Sequence, residues 1–288
     1  MVRSNLKIQV CQWLGEAKAL LSKNSSEPNS TVWALLCHVT SKPQAWLIAH
    51  PEFLISAHDV DFLNNSIKRI MRGYPLAYIT NTKSFFGLDF FINSSVLVPR
   101  PETELMVTMA NEWLNTNADY RSMAEIGVGS GCVSIALAKQ IPTLKIMASD
   151  LSWPALMIAK ININTFHLHN QISLIQSHLL TFTQYKFDLI CANLPYIPSR
   201  QLDKLEVNRF EPRHALDGGE DGLLLIRECL QRSPNWLQKN GMALLEIEYH
   251  QEKLVVDLAH TYFPQKRIRV LKDLAQLPRL LVIDNYQK

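Results

Sequence analysis

Along the first eighty residues, apolar positions recur at helical spacing. "MVRSNLKIQVCQWLGEAKALL" (1–21) is broken by Lys7, Gln9, Gln12 and Glu16, and reads as an amphipathic helix. Loop signals in "SKNSSEPNS" (22–30) separate it from "TVWALLCHVT" (31–40), "SKPQAWLIAH" (41–50) and "DVDFLNNSIKRIMRG" (59–73). Little here reads as strand before Ala77. The period then changes. In "AYITNTKSFFGLDFFINSSVLVPR" (77–100), aromatic and β-branched residues flank Gly87-Leu88-Asp89, which predicts a β-hairpin bridging two domains. "PETELMVTMANEWLN" (101–115) opens with Pro and acids, as a helix start does.

Strands and helices alternate from there. "MAEIGV", "KIMASD", "ISLIQSH", "FDLICAN" and "GMALLEIE" read as strands. "GCVSIALAKQ", "WPALMIAKININTF", "GLLLIRECLQRSPNWL" and "EKLVVDLAHTYF" read as helices. Such alternation predicts a doubly wound, largely parallel Rossmann-like sheet. Two closing strands, "KRIRVLKD" and "RLLVIDN", suggest an antiparallel hairpin at one edge. The expected division is a helical domain over 1–80, a hairpin linker over 81–100 and an α/β domain over 101–288.

Composition narrows the class. Hydrophobic residues make up 47% of the chain and charged residues 19%, enough apolar residue for a sizeable core. No run approaches the roughly 18 uncharged apolar residues of a membrane span, and no secretory h-region is visible. The net charge of +3 is scattered and does not call for a nucleic-acid partner. Five widely spaced cysteines form no C-x-x-C pair and suit a reducing cytoplasm. The nine histidines contain no HExxH; "HLH" (167–169) is only superficially a metal pair, and no metal is expected.

Three places carry chemistry. In "EIGVGSGCVSIALA" (125–138), Gly127, Gly129 and Gly131 follow a strand and precede a helix, with Val128 and Ser130 between them. Glycines permit positive φ and close backbone approach, and the helix start offers free N–H groups. The G-x-G-x-G spacing, preceded by Glu125, differs from the G-x-G-x-x-G of dinucleotide sites. It suits S-adenosylmethionine, with Glu125 near its ammonium group. Asp150 ends the next strand about 20 residues on, where an acid can accept from ribose hydroxyls. Ser152 shares the helix-capping role that Asp150 would otherwise fill.

The third place is "FDLICANLPYIPS" (187–199). Asn193 sits at the tip of the fourth strand of the α/β unit. Its side-chain oxygen and the Leu194 carbonyl are two acceptors, Pro195 keeps Leu194 extended, and Tyr196 offers a flat face. Together they predict a clamp for a planar –NH2 group, either an amide or an exocyclic base amine.

The chain resembles the bacterial release-factor glutamine methyltransferases, the HemK/PrmC family. The likeness spans nearly the whole length, through "RGYPLAYIT", "FFGLDFFINSSVLVPRPETELMV", "EIGVGSGCVSIALA", "NLPYIPS" and "RFEPRHALDGGEDGLLLI" in order. "VPRPETE" (98–104) and "EPRHALDGGEDG" (211–222) are far more specific than the glycine loop. The resemblance implies an N-terminal helical domain that docks the substrate and a class I methyltransferase domain that binds S-adenosylmethionine. The methyl acceptor would be the glutamine nitrogen in the Gly-Gly-Gln loop of class I peptide chain release factors, in the cytoplasm, with no direct nucleic-acid contact. By motif, Gly127 to Gly131 would hold the cofactor's amino-acid end, Asp150 its ribose, and Leu179 would neighbour its adenine. Asn193 to Tyr196 would hold the glutamine amide, with Asn193 and Tyr196 as the catalytic pair, and Arg100 to Glu104, Glu102 among them, would wall the site.

Three departures from the family pattern stand out. Leu194 replaces the first proline of Asn-Pro-Pro-Tyr, which leaves the backbone acceptor intact. His178 stands where the family usually has an Asp against the adenine amine, and a neutral imidazole can accept one hydrogen bond. "LKDLAQLPRLLVI" lacks a common glycine, so the last hairpin is expected to differ. The clamp alone would equally serve an adenine amine in DNA or RNA, or a ribosomal-protein glutamine. A binding module with a decayed site is a further alternative.

Overall fold

The computed structural model describes residues 7–22, 27–117, 119 and 121–285. The first six residues of the predicted N-terminal helix and residues 23–26 of the first loop lie outside the described residues. The chain divides into two compact units, 1–81 and 82–288.

The first unit is helical. In chain order it comprises β1 (Ile8–Gln9), α1 (Val10–Leu21), α2 (Pro28–Thr40), α3 (Gln44–Ala49), β2 (Leu54–Ile55), α4 (Ala57–Ile70) and α5 (Leu76–Thr80). Each helix turns its periodic apolar positions inward. Val10, Trp13, Ala17 and Leu21 of α1 meet Val32, Leu35 and Leu36 of α2 and Leu63 and Ile67 of α4 in one core. The Trp13 indole donates to Asn64 Oδ1 at 3.0 Å, which lets a large ring be buried without stranding its N–H. Ser56 caps α4 by accepting from the Asp59 amide.

Two expectations fail here. β1 and β2 form a two-residue antiparallel ladder that the sequence did not announce. Ala77–Thr80, read as the start of the hairpin, is helical. Pro75 holds φ at −61° at the N-cap, and Tyr78 and Ile79 are buried. Burial within a helical unit overrides their strand propensity.

The second unit begins with the hairpin β3 (Thr82–Phe85) and β4 (Leu88–Phe91). It turns through Phe86 and Gly87, both at positive φ. A 3₁₀ turn at Pro101–Thr103 leads into α6 (Glu104–Thr116). The α/β series follows: β5 (Ser122–Ile126), α7 (Cys132–Gln140), β6 (Lys145–Asp150), α8 (Trp153–Thr165), β7 (Ile172–Gln176), β8 (Phe187–Ala192), α9 (Ser199–Leu202), α10 (Leu224–Trp236), β9 (Leu237–Glu246), α11 (Glu252–Tyr262), β10 (Arg267–Lys272) and β11 (Pro278–Asp284).

These strands form one seven-stranded sheet in the order β10-β11-β9-β8-β5-β6-β7. β5 to β9 are mutually parallel, and β11 runs antiparallel to both β9 and β10. The predicted closing hairpin is thus present, and its turn takes a positive φ at Gln276 rather than at a glycine. The central strands are apolar on both faces because helices cover both. The chain winds outward through β5, β6 and β7, then returns to place β8 on the other side of β5. The β5/β8 gap is therefore the topological switch point, where open α/β sheets bind ligands. Ile126 pairs with Ala192, so Gly127 and Asn193 leave neighbouring strands at the same level.

Candidate active site

A cavity of about 380 Å³ opens at this switch point. Gly127, Val128, Gly129 and Ser130 line one side, with Glu125, Asp150, His178 and Leu179. Arg100, Thr103, Asn193, Leu194, Pro195 and His214 line the other. Most of the predicted site residues are therefore brought together. Gly131, Glu102 and Tyr196 are outside the lining: Gly131 starts α7 with φ 82°, and Glu102 is exposed on the 3₁₀ turn.

The glycine loop is built from backbone. Gly127 and Val128 both donate to the Ser149 carbonyl at 2.9 Å, and Gly131 donates to Val128. Gly127, Gly129 and Gly131 all have positive φ. A Cβ on Gly127 would come within 3.2 Å of the Asn193 carbonyl, so this glycine allows the loop to approach the tip of β8. Asp150 accepts from the Gly129 amide at 2.9 Å through Oδ2 and from the Ser152 amide at 2.8 Å through Oδ1. Ser152, not Asp150, caps α8, accepting from Ala155. Burial pushes the Asp150 carboxyl upward, and the two amides and nearby His214 pull it back.

Glu125 is buried at the end of β5 and accepts from the amide and hydroxyl of Ser134. Burial pushes its carboxyl up to about 8 despite those bonds, and Asp150 adds to the rise. Cys132, also at the cavity, is pushed up to about 12 by burial and by Glu125, so it stays a neutral thiol. The His178 imidazole bonds Glu228 of α10 at 2.8 Å through Nε2, and Glu228 also pairs with Arg232. His178 therefore has a built partner. Leu179 next to it is buried with φ 52°, an uncommon conformation for a branched residue and one often found at functional sites.

The Asn193–Tyr196 segment is held from a distance. Asn193 Nδ2 donates to Thr103 Oγ1 at 3.2 Å, and Thr103 donates to Glu246 Oε2 at 2.6 Å. The Tyr196 hydroxyl donates to Glu246 Oε1 at 3.2 Å, and the Tyr196 carbonyl accepts from Gln251. Burial and Glu246 hold the phenol well above its ordinary range, so it stays neutral. Glu246 is itself pushed upward by burial and pulled back by Thr103, Arg279 and Tyr196. The Leu194 carbonyl accepts no hydrogen bond from the described residues.

The two most specific motifs clasp each other. Buried Glu211 accepts from the Val98 amide at 3.0 Å and from the Arg100 guanidinium at 2.6 Å. Glycines in "DGGEDG" let the 211–222 loop lie on the clamp: a Cβ at Gly218 would meet the Pro195 carbonyl at 2.8 Å, and one at Gly222 the Tyr196 carbonyl at 2.3 Å. Asn162 of α8 ties the glycine loop to the hairpin, bonding the Ser130 carbonyl and both backbone groups of Phe91.

Glu246, Gln251 and Asn162 are not singled out by residue type or spacing, and Thr103 enters there only as part of the Arg100 to Glu104 wall. One signal was available. Glu246 is an acid ending an apolar strand, the same pattern that identified Asp150. Asn162 offered none, since a lone Asn in a helical pattern is ordinarily solvent-facing.

Comparison with known proteins agrees with this architecture. Residues 103–226 match the methyltransferase small domain, and residues 12–80 match the PrmC N-terminal domain. A methyltransferase crystal structure from Pyrococcus furiosus superposes with a TM-score of 0.52 at 18% identity, covering 78% of this chain and all of that one. The fold is that of the class I, S-adenosylmethionine-dependent methyltransferases. A release factor glutamine methyltransferase from Moorella thermoacetica is 35% identical over 267 residues, 92% of this chain and 94% of the relative. Another, from Streptococcus pneumoniae, is 33% identical over 245 residues, 84% and 86% respectively. The chain belongs to the release factor glutamine methyltransferase family.

Proposed function

We propose that this chain transfers a methyl group from S-adenosylmethionine to the side-chain nitrogen of the glutamine in the Gly-Gly-Gln loop of class I peptide chain release factors. The observation that carries this reading is the polarity of the clamp. Asn193 is anchored through its Nδ2, so Oδ1 is left to accept. The Leu194 carbonyl is a second acceptor with no donor of its own among the described residues. Two acceptors side by side match the two N–H groups of a primary amide.

The cavity suits the cofactor. Gly129 carries no side chain, and a Cβ there would meet open space. Among the described residues buried Glu125 has no ion-pair partner, and an ammonium group would supply one. Gly127 to Gly131 and Glu125 would hold the amino-acid end, Asp150 the ribose, and His178 and Leu179 the adenine. When bound, S-adenosylmethionine supplies an electrophilic methyl group.

The chain's own residues do the rest. An amide nitrogen is a poor nucleophile because its lone pair is delocalised. Asn193 Oδ1 and the Leu194 carbonyl would accept hydrogen bonds from its two N–H groups, fix its orientation and favour positive charge developing on it. No strong base is needed, because the methylated amide cation releases its proton to water. The 1–80 region would dock the release factor. The compartment that fits this acceptor is the cytoplasm.

The test is methyl incorporation from labelled S-adenosylmethionine into a purified class I release factor, beside a version with the loop Gln changed to Ala. Labelling should require the Gln. Labelling of duplex DNA alone would overturn the reading. Asn193→Ala should cut turnover about 100-fold or more while leaving cofactor affinity nearly unchanged. Normal turnover in that variant would sink the clamp.

A further inference from the structure

Glu246 ends β9, one strand away from the tip of β8. Its side chain is 2% exposed, and each oxygen serves a different residue of the site. Oε2 accepts from the Thr103 hydroxyl at 2.6 Å, and Oε1 accepts from the Tyr196 hydroxyl at 3.2 Å. Arg279 of β11, which pairs with Asp273, and Glu102 of the 3₁₀ turn also act on it electrostatically.

A hydroxyl has one proton to give. Thr103 gives its proton to Glu246, so only lone pairs face Asn193. Only the Nδ2 edge of Asn193 can meet a lone pair. The amide is therefore oriented with Nδ2 toward Thr103 and Oδ1 turned away. The two ends of an asparagine amide are nearly the same size, so packing alone discriminates between them poorly and the hydrogen-bond network must decide. In the reversed orientation the clamp would present donors to the donors of an incoming amide.

The geometry points to Glu246 as a positioning residue that sets the acceptor polarity of Asn193, acting through Thr103; this rests on the amide-clamp reading given above. Glu246 touches neither acceptor nor cofactor in this scheme. Its carboxylate, which only accepts, fixes which way one hydroxyl points, and that hydroxyl fixes which way one amide faces. Tyr196 is held by the same carboxylate, so both side chains of the clamp share one anchor.

Glu246→Gln is the direct test. A glutamine amide can donate to Thr103 as well as accept, which frees the hydroxyl proton to point at Asn193. Turnover should fall about tenfold or more, with cofactor affinity held within about twofold. Thr103→Val, which keeps the shape and removes the hydroxyl, should show the same loss, and Thr103→Ser should restore turnover to within about threefold of the parent. The double variant Glu246→Gln/Thr103→Val should be no worse than Glu246→Gln alone, because Thr103 acts within the relay that Glu246 anchors. Parent-level turnover in Glu246→Gln or in Thr103→Val, or additive losses, would overturn the assignment.

A second readout needs no methyl acceptor. In protein labelled with ¹⁵N-asparagine, the Asn193 side-chain amide signal is identified by its absence in Asn193→Ala. It should show proximity to Thr103 in the parent and in Thr103→Ser, and move in Glu246→Gln and Thr103→Val. A signal unmoved by those last two changes would overturn the relay. If no release factor is labelled by the parent enzyme, the proposed function fails, and this spectrum still decides the role of Glu246.

Discussion

The two walls of the cavity are held in opposite ways. On the glycine-loop side, the parts lie close in sequence and are joined largely by backbone: glycine amides, the Ser149 carbonyl, and an Asp at the end of the adjacent strand. On the clamp side, the parts come from distant stretches joined by side chains. Asn193 reaches back 90 positions to Thr103, and Thr103 reaches forward 143 positions to Glu246. A wall made of backbone tolerates a change in its neighbours' side chains. A wall made of side-chain relays fails when any member is lost, and it is the wall that would face the reacting nitrogen.

Changes at glycine separate the two walls most sharply. Gly222→Ala should be the most damaging. Its φ is 78°, and the new methyl would press on the Tyr196 carbonyl at 2.3 Å and on Gln251 at 2.7 Å. A loss of about 3 kcal/mol is expected from backbone strain plus overpacking. A unit of this size should then melt roughly 6–12 °C lower, read by calorimetry. An unchanged melting temperature would mean that the 211–222 loop does not brace the clamp.

Glu125→Gln probes the glycine-loop wall. Burial raises the Glu125 carboxyl to about 8 from an ordinary value of 4.5. Across that window the folded state keeps a proton that the unfolded chain gives up. Stability is therefore fullest below the ordinary value and is lost as pH rises toward the folded one. Glutamine can still accept from Ser134 and carries no such penalty. The parent's melting temperature should decline as pH rises from about 5 to about 8, the variant's should decline less, and the variant should bind S-adenosylmethionine more weakly. Parallel melting curves for the two proteins across this range would refute the raised carboxyl.

Gly129→Ala should have the smallest effect on stability. No described residue lies within 4 Å of the added methyl, and φ of 53° lies in the small left-handed region that other residues can enter. The expected cost is about 1 kcal/mol, or roughly 2–4 °C for this unit. A loss as large as that of Gly222→Ala would erase the distinction between the walls.

The same contrast explains what the sequence could disclose. The glycine loop and Asp150 were legible because their meaning is local: a strand end, a turn that needs positive φ, a helix start. The seven-stranded sheet followed from simple alternation of elements. Asn193 to Tyr196 was legible as a set of groups, but not the manner of its support. The sequence shows the flat face of Tyr196 but not that its hydroxyl is committed to Glu246 or that the residue is outside the cavity lining. Glu102 was read as part of the wall and is exposed beside it, while its neighbour Thr103 turns inward. A 3₁₀ turn sends successive side chains in different directions, and no periodic pattern three residues long reveals which one points in. Asn162 was silent because its partners, Ser130 and Phe91, lie 32 and 71 positions away.

The pairing of Ile126 with Ala192 acts as a ruler. Neighbouring strands in any sheet stand about 4.8 Å apart. If the glycine loop holds the cofactor and the Asn193 loop the acceptor, as proposed, two loops leaving adjacent strands at the same rung inherit that spacing without any side chain having to measure it. One residue inserted into β8 would shift its rungs by about 3.3 Å and turn its side chains to the opposite face. Residues in either loop could be exchanged for others, and the reach between donor and acceptor would stay that of the sheet.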